Sequence, residues 1–191
     1  MTDINSDQAG QVMPVPAKRA PAGERADPNQ DPLVPLIELL FFAYREFTGE
    51  PDTVLAQFGF GRAHHRVLHF VHRRPGLRVA DLLDILKITK QSLARVLKQL
   101  VDRGFIVQRA GASDRRERRL FLTPAGTQLA QKLLGLQIAR IEDALAHAGP
   151  EAAPAVRAFL LGMIGSQERA AVEAVIAAPR ALKATPGKVQ R

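Results

Sequence analysis

A mainly α-helical fold closed by one small β-hairpin follows from three observations on this 191-residue chain. Leu93, Val96, Leu97 and Leu100 recur at i, i+3, i+4 and i+7, the single apolar stripe of an α-helix that rests one face on a core. Directly after it, Phe105-Ile106-Val107-Gln108-Arg109 and Arg118-Arg119-Leu120-Phe121-Leu122 read as strands flanking a polar, turn-like Gly111 to Glu117. Apolar helical patterns then flank this central block on both sides.

Taken in order, residues 1–31 are rich in Pro, Ala, Asp and Gln and poor in large apolar groups, so they predict a disordered tail that cannot offset its ordering entropy. A first helix is expected over 33–48, with Leu36, Ile37, Leu39, Leu40, Phe41, Phe42, Tyr44 and Phe47 apolar on more than one face. Gly49-Glu50-Pro51-Asp52 is expected to break it, and a short helical piece through Leu55 and Phe58 leads to Gly59 and Gly61. Arg62 to Arg74 forms the next helix, packing Val67, Leu68, Phe70 and Val71 inward, and Pro75-Gly76 ends it. Val79, Leu82, Leu83, Ile85 and Leu86 make a shorter helix, joined through a tight Lys87-Ile88 turn to the helix of the Leu93 stripe. Thr89 can cap that helix, and Gly104 stands where a left-handed residue should stop it.

Two helices with so short a turn describe a helix-turn-helix, and a strand pair directly after the second helix is a wing. Thr123-Pro124 is a helix start, a capping hydroxyl with proline at the first helical position. That helix runs to about His147 with Leu129, Leu133, Leu136, Ile138, Ile141 and Leu145, and Gly149-Pro150 interrupts it. A last helix is expected over about Glu151 to Ala177, using Val156, Phe159, Leu160, Met163, Ile164, Val172 and Ile176. These long apolar helices (124–177), with the helix at 33–48, are expected to form a dimerisation layer around a lobe at 62–123, all within one domain at 32–177. Residues 178–191 read as a disordered basic tail.

Charge points to what that lobe meets. Between Arg62 and Thr123 stand 15 Lys or Arg against 5 Asp or Glu, out of 27 and 19 in the whole chain. The positive excess therefore sits on the helix-turn-helix segment, as binding to a polyanion requires. The helix surface opposite the apolar stripe carries Lys90, Gln91, Ser92, Arg95, Lys98 and Gln99. In a DNA major groove Gln91 suits a bidentate contact to adenine, and Lys90 or Arg95 suits guanine N7/O6. Ser92 can serve base or phosphate, and Lys98, two turns down, a phosphate. With Thr89 at the cap, and Arg115, Arg116, Arg118 and Arg119 on the wing for phosphates or the minor groove, these residues form the expected double-stranded DNA site.

Other classes fare worse. With no cysteine, the chain has no disulfide, thiolate metal site or thiol redox switch. No apolar run approaches the roughly 18 residues of a membrane span, since Leu36 to Phe42 is broken by Glu38, and the polar start with Asp3 and Asp7 reads as no secretory signal. A cytoplasmic protein with no membrane partner is expected. No Gly-rich phosphate loop, nucleophile elbow, HExxH or paired carboxylate run stands in the sequence, so no enzyme and no cofactor is expected. His64, His65, His69 and His72 crowd one helix, with i, i+4 spacing at 65/69 and i, i+3 at 69/72. Two-histidine spacing without a carboxylate nearby reads as packing and surface histidines rather than a metal site. A metal-responsive regulator using His64 to His72, and a winged helix that binds protein, are the alternatives to a plain DNA reader.

With the elements placed, their order resembles the MarR family of bacterial transcription regulators over about Leu33 to Ala177. Asp114-Arg115-Arg116-Glu117-Arg118-Arg119-Leu120-Phe121-Leu122-Thr123-Pro124-Ala125-Gly126 fits that family's wing pattern, and Leu100 to Arg109 resembles its passage into the wing. The run from Phe41 to Arg66 is similar to the PetP-type branch. The resemblance implies a homodimer on a pseudo-palindromic operator, usually a repressor and often released by a small-molecule effector. It also implies that an arginine at the position of Arg116 enters the minor groove and that Asp114 orients the wing. Two residues depart from the family pattern. Leu83 stands where a small residue is usual, and Lys87 stands where the turn commonly has glycine, which would strain a non-glycine residue there.

Overall fold

The computed structural model describes residues 27–111, 114 and 116–177. Their elements are α1 (Val34–Ala56), α2 (Arg62–Arg73), β1 (Leu77–Arg78), α3 (Val79–Leu86), α4 (Lys90–Asp102), β2 (Ile106–Ala110), β3 (Arg118–Leu122), α5 (Pro124–Ala148), α6 (Ala152–Met163) and α7 (Ser166–Ala177). The tails expected at 1–31 and 178–191 lie outside the described residues, except for 27–31, where Pro28–Gln30 forms a 3-10 turn.

The chain divides into two compact units, 1–42 and 43–191. In the first, the opening part of α1 leaves Leu36, Ile37, Leu39, Phe41 and Phe42 exposed. In the second, Leu68 and Val71 of α2, Leu82 of α3, Leu93 and Leu100 of α4, Ile106 and Leu120 of the sheet and Leu133 of α5 lie in one buried cluster. Burying each such side chain contributes about 1.5–3 kcal/mol against leaving it in water.

Three boundaries differ from the expectation. The first helix does not stop at Gly49 but runs through Pro51 to Ala56. A proline inside a helix costs about 3 kcal/mol. Here Pro51 and Leu55, one turn apart on the same face, are both fully buried, and that burial is of the same size. The hydroxyl of Thr48 donates to the Tyr44 carbonyl at 2.9 Å, and that of Thr53 to the Gly49 carbonyl at 3.0 Å.

The hairpin is in truth a three-stranded antiparallel sheet in the order β1-β3-β2. Leu77 and Arg78 pair with Leu120 and Arg119, and Ile106 to Ala110 pair with Leu122 to Arg118. The expected last helix is two, because the chain turns extended at Ile164 and passes Gly165 before α7 begins. Arg169 fills the gap, its guanidinium donating to the carbonyls of Leu161 at 3.0 Å and Ile164 at 3.1 Å at the C-terminal end of α6.

The caps stand where the sequence puts them. Thr89 Oγ1 accepts from Ser92 N at 3.1 Å at the start of α4, and Thr123 Oγ1 accepts from Gly126 N at 3.0 Å at the start of α5. Gly104 takes φ +74° and ends α4. Lys87 ends α3 in the left-handed region at φ +50°, the one described non-glycine residue with positive φ.

The far end of the chain returns to α2. Arg73 and Arg74 donate to the carbonyls of Ile176 (3.2 Å) and Val175 in the last turn of α7. Lys87 approaches Glu168 at 3.4 Å.

Candidate nucleic-acid interface

The amphipathic period of α4 places Leu93, Val96, Leu97 and Leu100 in the core and leaves Lys90, Gln91, Ser92, Arg95, Lys98 and Gln99 exposed. Not all of these side chains are idle. The Thr89 hydroxyl, besides capping the helix, donates to Ser92 Oγ at 2.9 Å. Lys98 Nζ lies 2.5 Å from Asp102 Oδ2, an i, i+4 pair that offsets part of its charge. Lys90, Gln91 and Arg95 stay clear of any hydrogen bond among the described residues and project from the first two turns.

The wing is shaped by its own backbone. Gly111 N donates to the Glu117 carbonyl, and Glu117 N to the Asp114 carbonyl, each at 3.1 Å. The Asp114 carboxylate accepts from Arg116 N at 2.8 Å, an Asx turn that fixes the main chain from which Arg116 projects into solvent. Arg118 is exposed. Arg119 is drawn aside by Glu117, at 3.0 Å. Arg115 lies outside the described residues.

Three residues of this region escaped the sequence reading. Arg78 pairs with Asp81 at 2.6 Å and with Glu117 at 3.3 Å, so Glu117 carries Arg78 and Arg119 together and ties the wing to the start of α3. The Asp81 carboxyl is held below its usual range by that hydrogen bond to Arg78. Arg109 stacks its guanidinium 5.0 Å from the Phe121 ring centre, one more cation on the wing. Periodicity of the strands offered a signal for Arg109, but pairing across 39 residues offered none for Arg78 and Glu117. Between α4 and β2 runs a groove of about 790 Å³ bounded by Leu97, Val107, Lys90, Lys98 and Arg118.

The histidines disperse. His64 is buried, stacks on Phe60 with ring centres 4.6 Å apart, and bonds Gln99 and Gly61. His65 and His69 border a separate cavity of about 310 Å³ with Tyr44, Phe47, Arg62 and Gln137. Burial holds both imidazoles below their ordinary range, His69 down to about 4, where the neighbouring charges of His65, Arg73 and His72 add to the effect. Among the described residues no group of three or more His, Asp or Glu is arranged to hold a metal ion. No helix among them is long and apolar enough to cross a membrane.

Residues 58–117, spanning the helix-turn-helix and most of the wing loop, match the MarR family profile. Over 128 residues the chain is 48% identical to the HTH-type transcriptional regulator PetP of Rhodobacter capsulatus, covering 67% of this chain and 77% of that protein. The chain belongs to the MarR family. It is a transcriptional regulator of MarR type, and regulators of that family bind DNA and are not enzymes.

Solved MarR structures share the fold. A crystal structure of a MepR–DNA complex of S. aureus superposes with a TM-score of 0.55 at 21% identity, over 66% of this chain and 94% of that one. A MarR regulator of Methanosarcina mazei Go1 gives 0.56 at 23%, over 67% and 91%. The expectation of a winged helix-turn-helix is met.

Proposed function

We propose that residues 32–177 form one subunit of a homodimeric repressor that reads a pseudo-palindromic operator. The observation that carries this reading is the pairing of a capped, exposed, polar α4 with an arginine-bearing wing on the most basic segment of the chain. Lys90, Gln91, Ser92 and Arg95 would meet base edges or phosphates, Lys98 a phosphate, and Arg115, Arg116, Arg118 and Arg119 the flanking backbone or minor groove, with Asp114 setting the wing.

A second copy is supported by apolar surface that no described residue covers. Ile138 and Ile141 of α5 and Val156, Phe159, Leu160 and Met163 of α6 are all 44–57% exposed. So much apolar area in contiguous helices marks an interface rather than a solvated face. The cavity beside His65, His69, Tyr44 and Arg62 supports a small-molecule effector as the signal for release.

Selection of bound sequences from random duplex DNA at near-physiological salt tests the reading. A palindrome with half-sites about one helical turn apart is the expected result. Enrichment of nothing would leave a winged helix that binds protein, and the repressor reading would fall.

A further inference from the structure

His64 is the one buried ionisable side chain among the described residues, and it is spent entirely on two hydrogen bonds. Its Nδ1 accepts from the backbone N–H of Gly61 at 3.1 Å, satisfying the donor just before the start of α2. A ring nitrogen that accepts from an N–H carries no proton, so the imidazole proton sits on Nε2. That Nε2 lies 2.7 Å from Gln99 Oε1 on α4 and therefore donates to it. The Phe60 ring, nearly parallel at 14° to the imidazole, prevents it from turning.

The chain of donors fixes Gln99 as well. With its carbonyl oxygen held by His64, the amide presents its NH2 group away from the ring, and Gln99 is solvent-exposed. Ser92, Arg95 and Gln99 stand at i, i+3 and i+7, one ridge of α4. The ridge thus ends in a side chain whose amide NH2 is turned outward as a donor.

We propose that Gln99 is a further DNA contact, an N–H donor to a phosphate oxygen at the flank of the recognition helix, and that His64 is the positioning residue that fixes its amide as a donor. This rests on the reading of α4 as the DNA-reading helix. Gln99 is neutral, so its contribution differs in kind from that of Lys98 or Arg95, adding affinity without releasing counterions.

The experiment measures affinity of the full chain for the duplex recovered by selection, at several salt concentrations, for four variants. Gln99→Ala is expected to weaken binding about tenfold, the size of one hydrogen bond to a charged group, with an unchanged salt slope. Gln99→Glu keeps an acceptor for His64 but presents no donor, and falls further. His64→Asn keeps an oxygen for Gly61 N–H but cannot reach Gln99, and is expected to lose binding severalfold while the double variant binds no worse than Gln99→Ala alone. Nitrogen-15 spectra of the parent should show His64 in the Nε2–H form. Parental affinity in Gln99→Ala and Gln99→Glu would overturn the contact. Losses that multiply in the double variant would show His64 acting on stability alone. If the parent recovers no sequence, the DNA reading itself fails and takes the inference with it.

Discussion

A β-carbon on Gly126 would stand 2.0 Å from the carbonyl oxygen of Phe105. That oxygen accepts from Thr123 N at 3.1 Å, so it cannot swing away without uncapping α5. Glycine within a helix ordinarily costs about 1 kcal/mol relative to alanine. Here close approach reverses the sign, and Gly126→Ala is expected to destabilise the fold by about 1–3 kcal/mol as an overpacked site. Denaturant unfolding with an unchanged slope is the measurement.

Arg116 and Gln91 should fail differently. Arg116→Ala is expected to cost about 1–3 kcal/mol of operator affinity. Titration at several salt concentrations should also show a shallower slope, because one cation has left the interface. Gln91→Ala is expected to relax the choice of base at one position per half-site, read by repeating the selection with the variant.

Acid should weaken the fold through His69. Its imidazole titrates near 4 when folded, against an ordinary value of 6.5. Between those values the unfolded chain binds more protons, so stability rises with pH across the window and falls as acid is added. A melting temperature that drops from pH 7.5 to pH 5 is expected, and His69→Gln should flatten the drop.

Lys87 offers a stabilising change. A left-handed backbone costs a residue with a side chain about 1–2 kcal/mol, and Lys87 sits there at φ +50°. Its partner Glu168 is 3.4 Å away with both side chains mostly in water, a pair worth little. Lys87→Gly is expected to raise stability by about 0.5–1 kcal/mol after the added freedom of the unfolded chain is counted. Thermal unfolding checks it.

Much of this architecture is written locally. The thirteen residues of α4 announce their apolar stripe, their threonine cap and their glycine stop, and each of the three is where periodicity and capping chemistry put it. The left-handed turn at Lys87 is legible only through the family resemblance, where the turn commonly has glycine. What stays hidden depends on distant partners. Two residues cannot display alternation, so β1 becomes a strand only because Leu120 and Arg119 lie alongside. Pro51 reads as a breaker until the burial around it is known. Of the wing arginines, only the fold distinguishes Arg116, free to project, from Arg119, held by Glu117. His64 looks like a member of a histidine cluster, and its real partner lies 35 positions away.

The attachment of α7 to α2 has an asymmetry of its own. Arg73 and Arg74 bind the main-chain carbonyls of Ile176 and Val175, atoms that every residue type supplies. Mutational drift can therefore rewrite the side chains of that last turn and leave the acceptors in place, so long as the helix persists. At the end of α2 there is no such latitude, since each carbonyl is reached by the long side chain of its own arginine. One partner of this junction is thus heritable as a shape and the other as two particular residues, and random mutagenesis should find the two ends unequally tolerant.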